Sequence, residues 1–208
     1  MKASVLVLVL MTHVTVSREP SVRTFAEPSL ESLRQAPSSE PPSGASVQNP
    51  RPEPSPTPGI HYTPTRHAIA DAMLQLAKVT ASDVVFDLGS GDGRIVIIAA
   101  QKYGARGIGI ELDEKLVEVS TQNARDAGVE SRVTFMRGDL FAADLSSATV
   151  VALYLSPSMN RELAPKLERE LKPGARVVTH QFPIPGWTPD ERVTRDGAEL
   201  FLYRMPAH

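Results

Sequence analysis

A turn with three glycines spaced two residues apart constrains this chain more than any other feature of its sequence. The turn follows an apolar run that ends in an acid, Val84–Asp87, and contains Gly89, Gly91 and Gly93. A helical pattern of apolar residues begins directly afterwards at Arg94. Glycine permits so close a reversal because it has no Cβ atom and readily adopts positive φ values. We therefore expect a strand, a ligand-binding loop and a helix in this order.

The segments around this turn alternate between strand and helix patterns, which predicts an α/β fold. The expected strands are Val84–Asp87, Gly107–Glu111, Arg132–Met136, Thr149–Leu155 and Ala175–His180, and the expected helices are Thr65–Lys78, Arg94–Lys102, Glu114–Asp126 and about 158–171. Two more strands, Arg192–Thr194 and Glu199–Tyr203, flank the turn at Asp196 and Gly197 and predict a hairpin. A dinucleotide-binding fold would continue to alternate strands and helices to its end. The terminal antiparallel hairpin therefore distinguishes the predicted fold from that class.

The first part of the chain has a different composition. Residues 1–17 contain one lysine followed by a short apolar run, which is typical of a secretory signal or an anchor; a wrongly assigned start codon is the alternative. Residues 18–59 are rich in proline and serine and predict a disordered linker, with a ligand for a proline-binding module as the alternative. The folded domain is expected to span residues 60–208.

Composition excludes several kinds of chemistry. The chain contains no cysteine, so it has no disulfide framework, thiolate metal site or cysteine nucleophile. Its formal net charge of -2 lacks the excess of basic residues that a surface for long nucleic acids needs. A nucleic-acid partner is therefore disfavoured.

Acidic residues indicate which ligand the glycine turn binds. A dinucleotide or phosphate loop is the alternative, but the third glycine of the dinucleotide pattern falls at Arg94. Asp87 and Asp92 would repel a pyrophosphate, whereas they suit a positively charged cofactor without phosphate. Glu111 ends the second strand, where its carboxylate can accept hydrogen bonds from both hydroxyl groups of a ribose. Asp139 follows the third strand, where it can accept a hydrogen bond from an adenine amino group. The alternatives are a solvent-facing strand end for Glu111 and a turn aspartate for Asp139.

These residues resemble the class I methyltransferases, whose mostly parallel Rossmann-like sheet of seven strands has helices on both faces and a C-terminal antiparallel hairpin. The segments Tyr62–Thr65, Asp87–Ile97 and Phe182–Pro189 are similar to a narrower group. That group comprises the mitochondrial protein-lysine methyltransferases of the adenine nucleotide translocase and the ATP synthase c subunit, with their bacterial relatives.

The resemblance implies S-adenosyl-L-methionine as the cofactor, with Tyr62–Thr65 closing over its methionine end. No metal site is expected, because the stretch after the fourth strand offers only Asn160 and Glu162. The residues expected to contact the cofactor are Tyr62, Thr63, Pro64, Asp87, Leu88, Gly89, Ser90, Gly91, Gly93, Glu111, Leu112, Asp139 and Leu140.

The fourth strand is followed by Tyr-Leu-Ser-Pro at 154–157, which lacks the Asn/Asp-Pro-Pro-Tyr/Phe motif of enzymes that methylate base amines and glutamine. Residues expected to face the methyl acceptor are Tyr154, Ser156, His180 and Trp187. Each has a structural alternative, since Tyr154 can cap the core, His180 can be a satisfied structural histidine and Trp187 can pack against the hairpin.

Three functions follow from these observations. The leading hypothesis is N-methylation of a protein lysine, followed by methylation of a small molecule and by a non-catalytic, cofactor-binding interaction module. For location, the N-terminal segment favours a membrane-associated or exported protein, whereas the supply of S-adenosylmethionine favours the cytoplasm.

Overall fold

A computed structural model of the chain describes residues 63–206. The predicted signal segment 1–17, the linker 18–59 and Tyr62 lie outside these residues, so the proposed domain boundaries stay predictions. The elements are α1 (His67–Leu76), β1 (Val84–Leu88), α2 (Arg94–Tyr103), β2 (Arg106–Glu111), α3 (Glu114–Asp126), β3 (Val133–Arg137), β4 (Val150–Leu153), α4 (Pro157–Glu170), β5 (Arg176–His180), β6 (Glu191–Arg195) and β7 (Ala198–Arg204).

The seven strands form one sheet in the order β3-β2-β1-β4-β5-β7-β6. The first five strands are parallel to their neighbours, whereas β7 is antiparallel to both β5 and β6. This arrangement confirms the predicted sheet of seven strands with its terminal antiparallel pair. Because carboxyl ends of parallel strands meet at one edge of a sheet, the segments after β1, β2, β3, β4 and β5 are brought together there.

Alternating side chains of the buried strands pack into two hydrophobic cores, one on each face of the sheet. Val85 and Val178 pack on the face covered by α1, α2 and part of α3. Phe86 and Val177 pack on the opposite face, together with Leu163 and Leu167 of α4. The strands are buried from both sides, as in other sheets with helices on both faces.

Helix α1 begins two residues later than predicted, at His67 instead of Thr65. The reason is tertiary, because both polar groups of Thr65 bind distant residues. Its hydroxyl oxygen lies 3.2 Å from Nδ1 of His180, and its carbonyl oxygen accepts a hydrogen bond from Arg94 at 2.8 Å. Thr65 therefore lies outside the helix, and Arg66 is the N-cap residue of α1.

A polar network fixes the sheet at the edge opposite the carboxyl ends. Asp83, just before β1, accepts hydrogen bonds from the Thr149 hydroxyl at 2.7 Å and from the Thr80 amide at 2.8 Å, and it pairs with Arg176. Arg176 also donates to the carbonyl oxygen of Ala77 at 2.8 Å. One carboxylate therefore joins the beginnings of β1, β4 and β5 to the end of α1.

Removal of this carboxylate should strongly destabilise the fold. Asp83→Ala leaves the Arg176 guanidinium without its partner in a largely buried position, so the free energy of unfolding should fall by about 3 kcal/mol in urea denaturation. Arg137→Ala is the control, because its ion pair with Glu114 is exposed and should contribute less than about 1 kcal/mol. Equal losses in the two variants would contradict this assignment.

The contribution of Asp83 should also depend on pH. Burial alone would raise its pKa, but hydrogen bonds from Thr149 and Thr80 and the charge of Arg176 outweigh burial and lower the pKa. A carboxyl group with a lowered pKa in the folded protein stabilises it above the pKa of the unfolded chain. The difference between wild type and Asp83→Ala should therefore shrink as the pH falls through the lowered pKa.

Candidate active site

A cavity of about 560 Å³ lies at the carboxyl edge of the sheet. Its lining comes from the glycine loop after β1, the segments after β2, β3, β4 and β5, and the residues before α1. The lining residues are Thr63, Pro64, Thr65, Asp87, Gly89, Ser90, Asp92, Arg94, Ile95, Ile110, Glu111, Leu112, Leu116, Gly138, Asp139, Leu140, Phe141, Tyr154, Leu155, Ser156, Met159 and Phe182. The strand order places Glu111 and Asp139 on one side of the glycine loop and Tyr154 and Phe182 on the other.

The glycine loop has the positive φ values that its sequence predicts. The φ angles of Gly89, Gly91 and Gly93 are 80°, 54° and 81°. A Cβ atom on Gly93 would lie 2.4 Å from the Phe135 ring, far inside van der Waals contact. The loop therefore needs glycine at this position both for its backbone conformation and for its close packing on β3.

Asp87 is a buried acid at the end of β1 that faces the cavity. Among residues 63–206, no donor forms a hydrogen bond to its carboxyl group. Burial, and then the negative charges of Asp92 and Glu111, raise the pKa of Asp87 to about 8. A carboxyl group in this environment is most stable when protonated or when a cation lies beside it.

Asp92 is ion-paired, which the sequence did not indicate. Both of its carboxylate oxygens accept from Nε of Arg94, at 2.9 and 3.1 Å. Arg94 also donates to the carbonyl oxygen of Thr65 and is itself almost completely buried. Asp92 is therefore already paired with Arg94, and of the two loop acids Asp87 is the better partner for a cationic ligand.

Glu111 and Asp139 line the other side of the cavity, and both have partners in the backbone. The Glu111 carboxylate accepts from the amides of Gly91 at 2.8 Å, Leu112 at 2.8 Å and Asp113 at 3.0 Å. These bonds fix the carboxylate against the glycine loop. The Asp139 carboxylate accepts from the amide of Phe141 at 2.9 Å, so this residue forms a turn and also faces the cavity.

Tyr154, Ser156 and Phe182 lie where the parallel strands β4 and β5 end. Ser156 also has a structural role, because its hydroxyl is the N-cap of α4 and accepts from the Met159 amide at 3.3 Å. Phe182 is held in place by Asn160, whose amide nitrogen donates to the Phe182 carbonyl oxygen at 3.1 Å. This side of the cavity is lined mainly by apolar and aromatic groups.

His180 and Trp187 do not line the cavity. His180 lies behind Tyr154, with ring centroids 4.0 Å apart. Trp187 packs edge-on against Tyr203 and donates to the Glu168 carboxylate at 2.9 Å. The structure therefore places Trp187 against the hairpin and α4, and places His180 in contact with Tyr154 of the cavity wall.

The structure brings most of the predicted site residues to the same cavity. Predicted residues that line it are Thr63, Pro64, Asp87, Gly89, Ser90, Glu111, Leu112, Asp139, Leu140, Tyr154 and Ser156. Leu88 is absent from the lining because its side chain is fully buried in the core. Gly91 and Gly93 are also absent from the lining, and the Gly91 amide instead donates to the Glu111 carboxylate.

Several lining residues were not predicted as site residues. Leu116 lies four residues after Leu112, in the first turn of α3, and Phe141 lies two residues after Asp139, so closeness to predicted residues could have identified both. No comparable sequence feature pointed to Met159. Phe182 belongs to the proline-rich segment that carries the family resemblance, but its contact with the cavity depends on the fold of that segment.

Comparisons with known proteins identify the family. Residues 87–191 match the family model described as the ANTKMT methyltransferase domain. The chain belongs to this family. A protein-lysine N-methyltransferase of Saccharolobus islandicus is 39% identical over 156 residues, covering 73% of this chain and 97% of that protein. The mouse lysine N-methyltransferase of the ATP synthase c subunit is 41% identical over 121 residues, covering 58% of this chain and 49% of its own length.

A solved structure agrees with the family assignment. The RNA methyltransferase from Salinibacter ruber in complex with S-adenosyl-L-homocysteine is 50% identical, with a TM-score of 0.69, and the match covers 70% of this chain and 95% of that one. The chain is therefore an S-adenosylmethionine-dependent methyltransferase, which confirms the predicted enzyme class and cofactor and favours the enzyme over the interaction module.

The residues of the cavity fit this cofactor. Asp87 offers a carboxyl group without a hydrogen-bond donor from residues 63–206, which suits the positive charge of the ligand. The Ser90 hydroxyl is buried at the cavity wall and has no hydrogen-bond partner in the described part of the chain. Leu112, Leu140 and Phe141 supply apolar surface beside Asp139, as an adenine ring requires.

Substitution of Gly93 should lower the free energy of unfolding by more than backbone strain alone would. Gly93→Ala combines a positive φ with overlap against Phe135, so its unfolding free energy should fall by about 2 to 5 kcal/mol. Gly128→Ala is a matched control, since Gly128 has φ +67° and open space around its Cβ position. That variant should lose about 1 to 2 kcal/mol, and urea denaturation would show whether the two losses differ.

Cofactor binding should release a proton and should tighten as the pH rises toward the pKa of Asp87, about 8. Below this pKa the carboxyl group is mostly protonated in the free enzyme, whereas a bound cation favours the ionised form. Affinity should therefore rise by up to about tenfold per pH unit. Titration calorimetry in buffers of different ionisation enthalpy, between about pH 6 and pH 7.5, measures both effects.

Asp87→Asn is the control for this prediction. It should bind the cofactor about 10- to 100-fold more weakly, with no proton release from this position. Without cofactor, the raised pKa of Asp87 means that the wild-type protein loses stability as the pH rises from the ordinary carboxyl pKa of 3.8 to about 8, and the asparagine variant should not. A wild-type affinity that is independent of pH would contradict the role of Asp87.

Proposed function

We propose that this methyltransferase transfers a methyl group to the side-chain nitrogen of a lysine in a protein. The observation that carries the proposal is the apolar and aromatic wall at the ends of β4 and β5, where Tyr154, Leu155, Met159 and Phe182 line the cavity. Support also comes from the Saccharolobus islandicus relative, which is named a protein-lysine N-methyltransferase and is covered almost completely.

A wall of this kind suits the lysine side chain. Its four methylene groups pack favourably against Leu155 and Met159, and aromatic faces such as those of Tyr154 and Phe182 attract an alkylammonium group. Burial of the amine in this apolar environment lowers the pKa of the lysine, which favours the neutral, nucleophilic form.

The enzyme has little chemistry to perform beyond binding and orientation. The cofactor supplies a methyl group bonded to a positively charged sulfur. Asp87, Ser90 and Glu111 would hold the cofactor, while Tyr154 and Phe182 would direct the amine and exclude water. Most of the rate enhancement in such a displacement comes from placing the two reactants in line.

RNA is the second candidate acceptor, because the solved Salinibacter ruber structure is described as that of an RNA methyltransferase. Two features of this chain weigh against it. The net charge of -2 offers no general attraction for phosphates, and residues 154–157 lack the motif typical of base-amine methylation. The assay below therefore separates protein from RNA products.

The proposal is tested with the full chain, cofactor labelled in the methyl group, and an extract of the source cells. We expect label in a protein band that protease removes and ribonuclease does not, and acid hydrolysis should release methylated lysine. Asp87→Asn should lower the label by about 10- to 100-fold through weaker cofactor binding. Thr179→Val, a conservative change of a buried residue away from the cavity, should leave it unchanged.

Other outcomes would reject a lysine acceptor. Label that is sensitive to ribonuclease would identify RNA as the acceptor. Label that passes into the low-molecular-weight fraction would identify a small molecule. Label in protein without methylated lysine in the hydrolysate would place the methyl group on another side chain.

A further inference from the structure

His180 connects two parts of the active site without facing the cavity itself. It is the last residue of β5 and is buried. Its ring stacks on Tyr154 at a centroid distance of 4.0 Å and an interplanar angle of 34°. Its Nδ1 atom lies 3.2 Å from the hydroxyl oxygen of Thr65. Tyr154 and Thr65 both line the cavity, on the acceptor wall and in the segment before α1.

Tyr154 depends on this stacking for its orientation. Within residues 63–206 its hydroxyl group forms no hydrogen bond, so packing sets the plane of its ring. Thr65 is held at two points, because Arg94 binds its carbonyl oxygen and His180 binds its hydroxyl. Removal of His180 would therefore release the ring of Tyr154 and one of the two attachments of Thr65.

The chemistry of His180 argues against a role as a base. Burial, and then the positive charge of Arg66, lower the pKa of His180 to about 4. The ring is therefore neutral at physiological pH and is a weak base compared with an alkylamine. It also does not line the cavity, whereas its two partners Tyr154 and Thr65 do.

We propose that His180 is a positioning residue with two separable effects, one on the acceptor and one on the cofactor. Its ring fixes Tyr154 for the acceptor, and Nδ1 fixes Thr65 in the wall of the cofactor site. The acceptor part rests on the proposed function, which places the lysine beside Tyr154. The cofactor part is independent of the acceptor.

Two substitutions separate the effects. His180→Phe keeps an aromatic ring against Tyr154 and removes the hydrogen bond to Thr65. His180→Asn removes the ring but keeps a polar atom bonded to Cγ, at the position of Nδ1, so the bond to Thr65 can form. Thr65→Val removes the same bond from the other partner with little change in shape.

The cofactor effect is measured by calorimetric titration with S-adenosyl-L-homocysteine. His180→Phe and Thr65→Val should each weaken binding by about 3- to 10-fold, the loss of one hydrogen bond. The double variant with both His180→Phe and Thr65→Val should bind this ligand no more weakly than either single variant, because both substitutions remove the same hydrogen bond. His180→Asn should bind within about twofold of wild type.

The effect on Tyr154 is measured by fluorine NMR of protein labelled with fluorotyrosine. The chain has four tyrosines, and the Tyr154 signal is assigned by its loss in Tyr154→Phe. This signal should shift strongly in His180→Asn, which lacks the neighbouring ring current, and should shift less in His180→Phe. With the labelled protein acceptor, His180→Asn should also lower kcat by about 10- to 100-fold, more than His180→Phe does.

The two substitutions must behave differently if the proposal is correct. Equal losses of cofactor affinity and an equal Tyr154 signal in His180→Phe and His180→Asn would overturn it, as would additive effects of His180→Phe and Thr65→Val. Thr179→Val, the neighbouring residue on β5, controls for general disturbance of the strand and should match wild type. If no protein acceptor is labelled, the proposed function fails, but the titration and the fluorine signal still decide the role of His180.

Discussion

The buried carboxyl group of Asp87 is the constraint on which the active site depends. Asp87 lies at the end of the central strand β1, directly opposite Gly109 of β2 and Ala152 of β4. Its carboxyl group is almost completely buried and lines the cavity. No donor in residues 63–206 binds this carboxyl group, and a buried acid without a donor costs stability that the rest of the fold must supply.

The glycine loop follows from this position of Asp87. The chain must leave the centre of the sheet immediately after the acid and enter α2 without covering it, and the positive φ values of the three glycines allow this path. The same loop presents the Gly91 amide to Glu111 across the β1–β2 boundary. The backbone of this turn therefore fixes the Glu111 carboxylate beside the loop that follows Asp87.

The sequence predicted the fold more completely than the site. Each helix and strand in residues 63–206 lies within two residues of its predicted position, because apolar periodicity and glycine turns are local signals. Residues next to the glycine loop and at strand ends were also predicted to lie together, since the parallel topology requires it. The ion pair of Asp92 with Arg94 and the stacking of His180 on Tyr154 were not predicted, because side-chain partners in the folded state leave no periodic signal.

The segment after β5 shows why a resemblance in sequence can identify a family without identifying residue roles. Trp187 and Ile184 are anchored on β7, Trp187 by its ring against Tyr203 and Ile184 by an amide that donates to the Tyr203 hydroxyl at 3.0 Å. Phe182, a few residues earlier, is free to face the cavity because this anchor and Asn160 hold the segment on both sides. The tryptophan of the segment therefore helps to fix the position from which Phe182 lines the cavity. The sequence pattern contains both aromatic residues and does not show which of them faces the cavity.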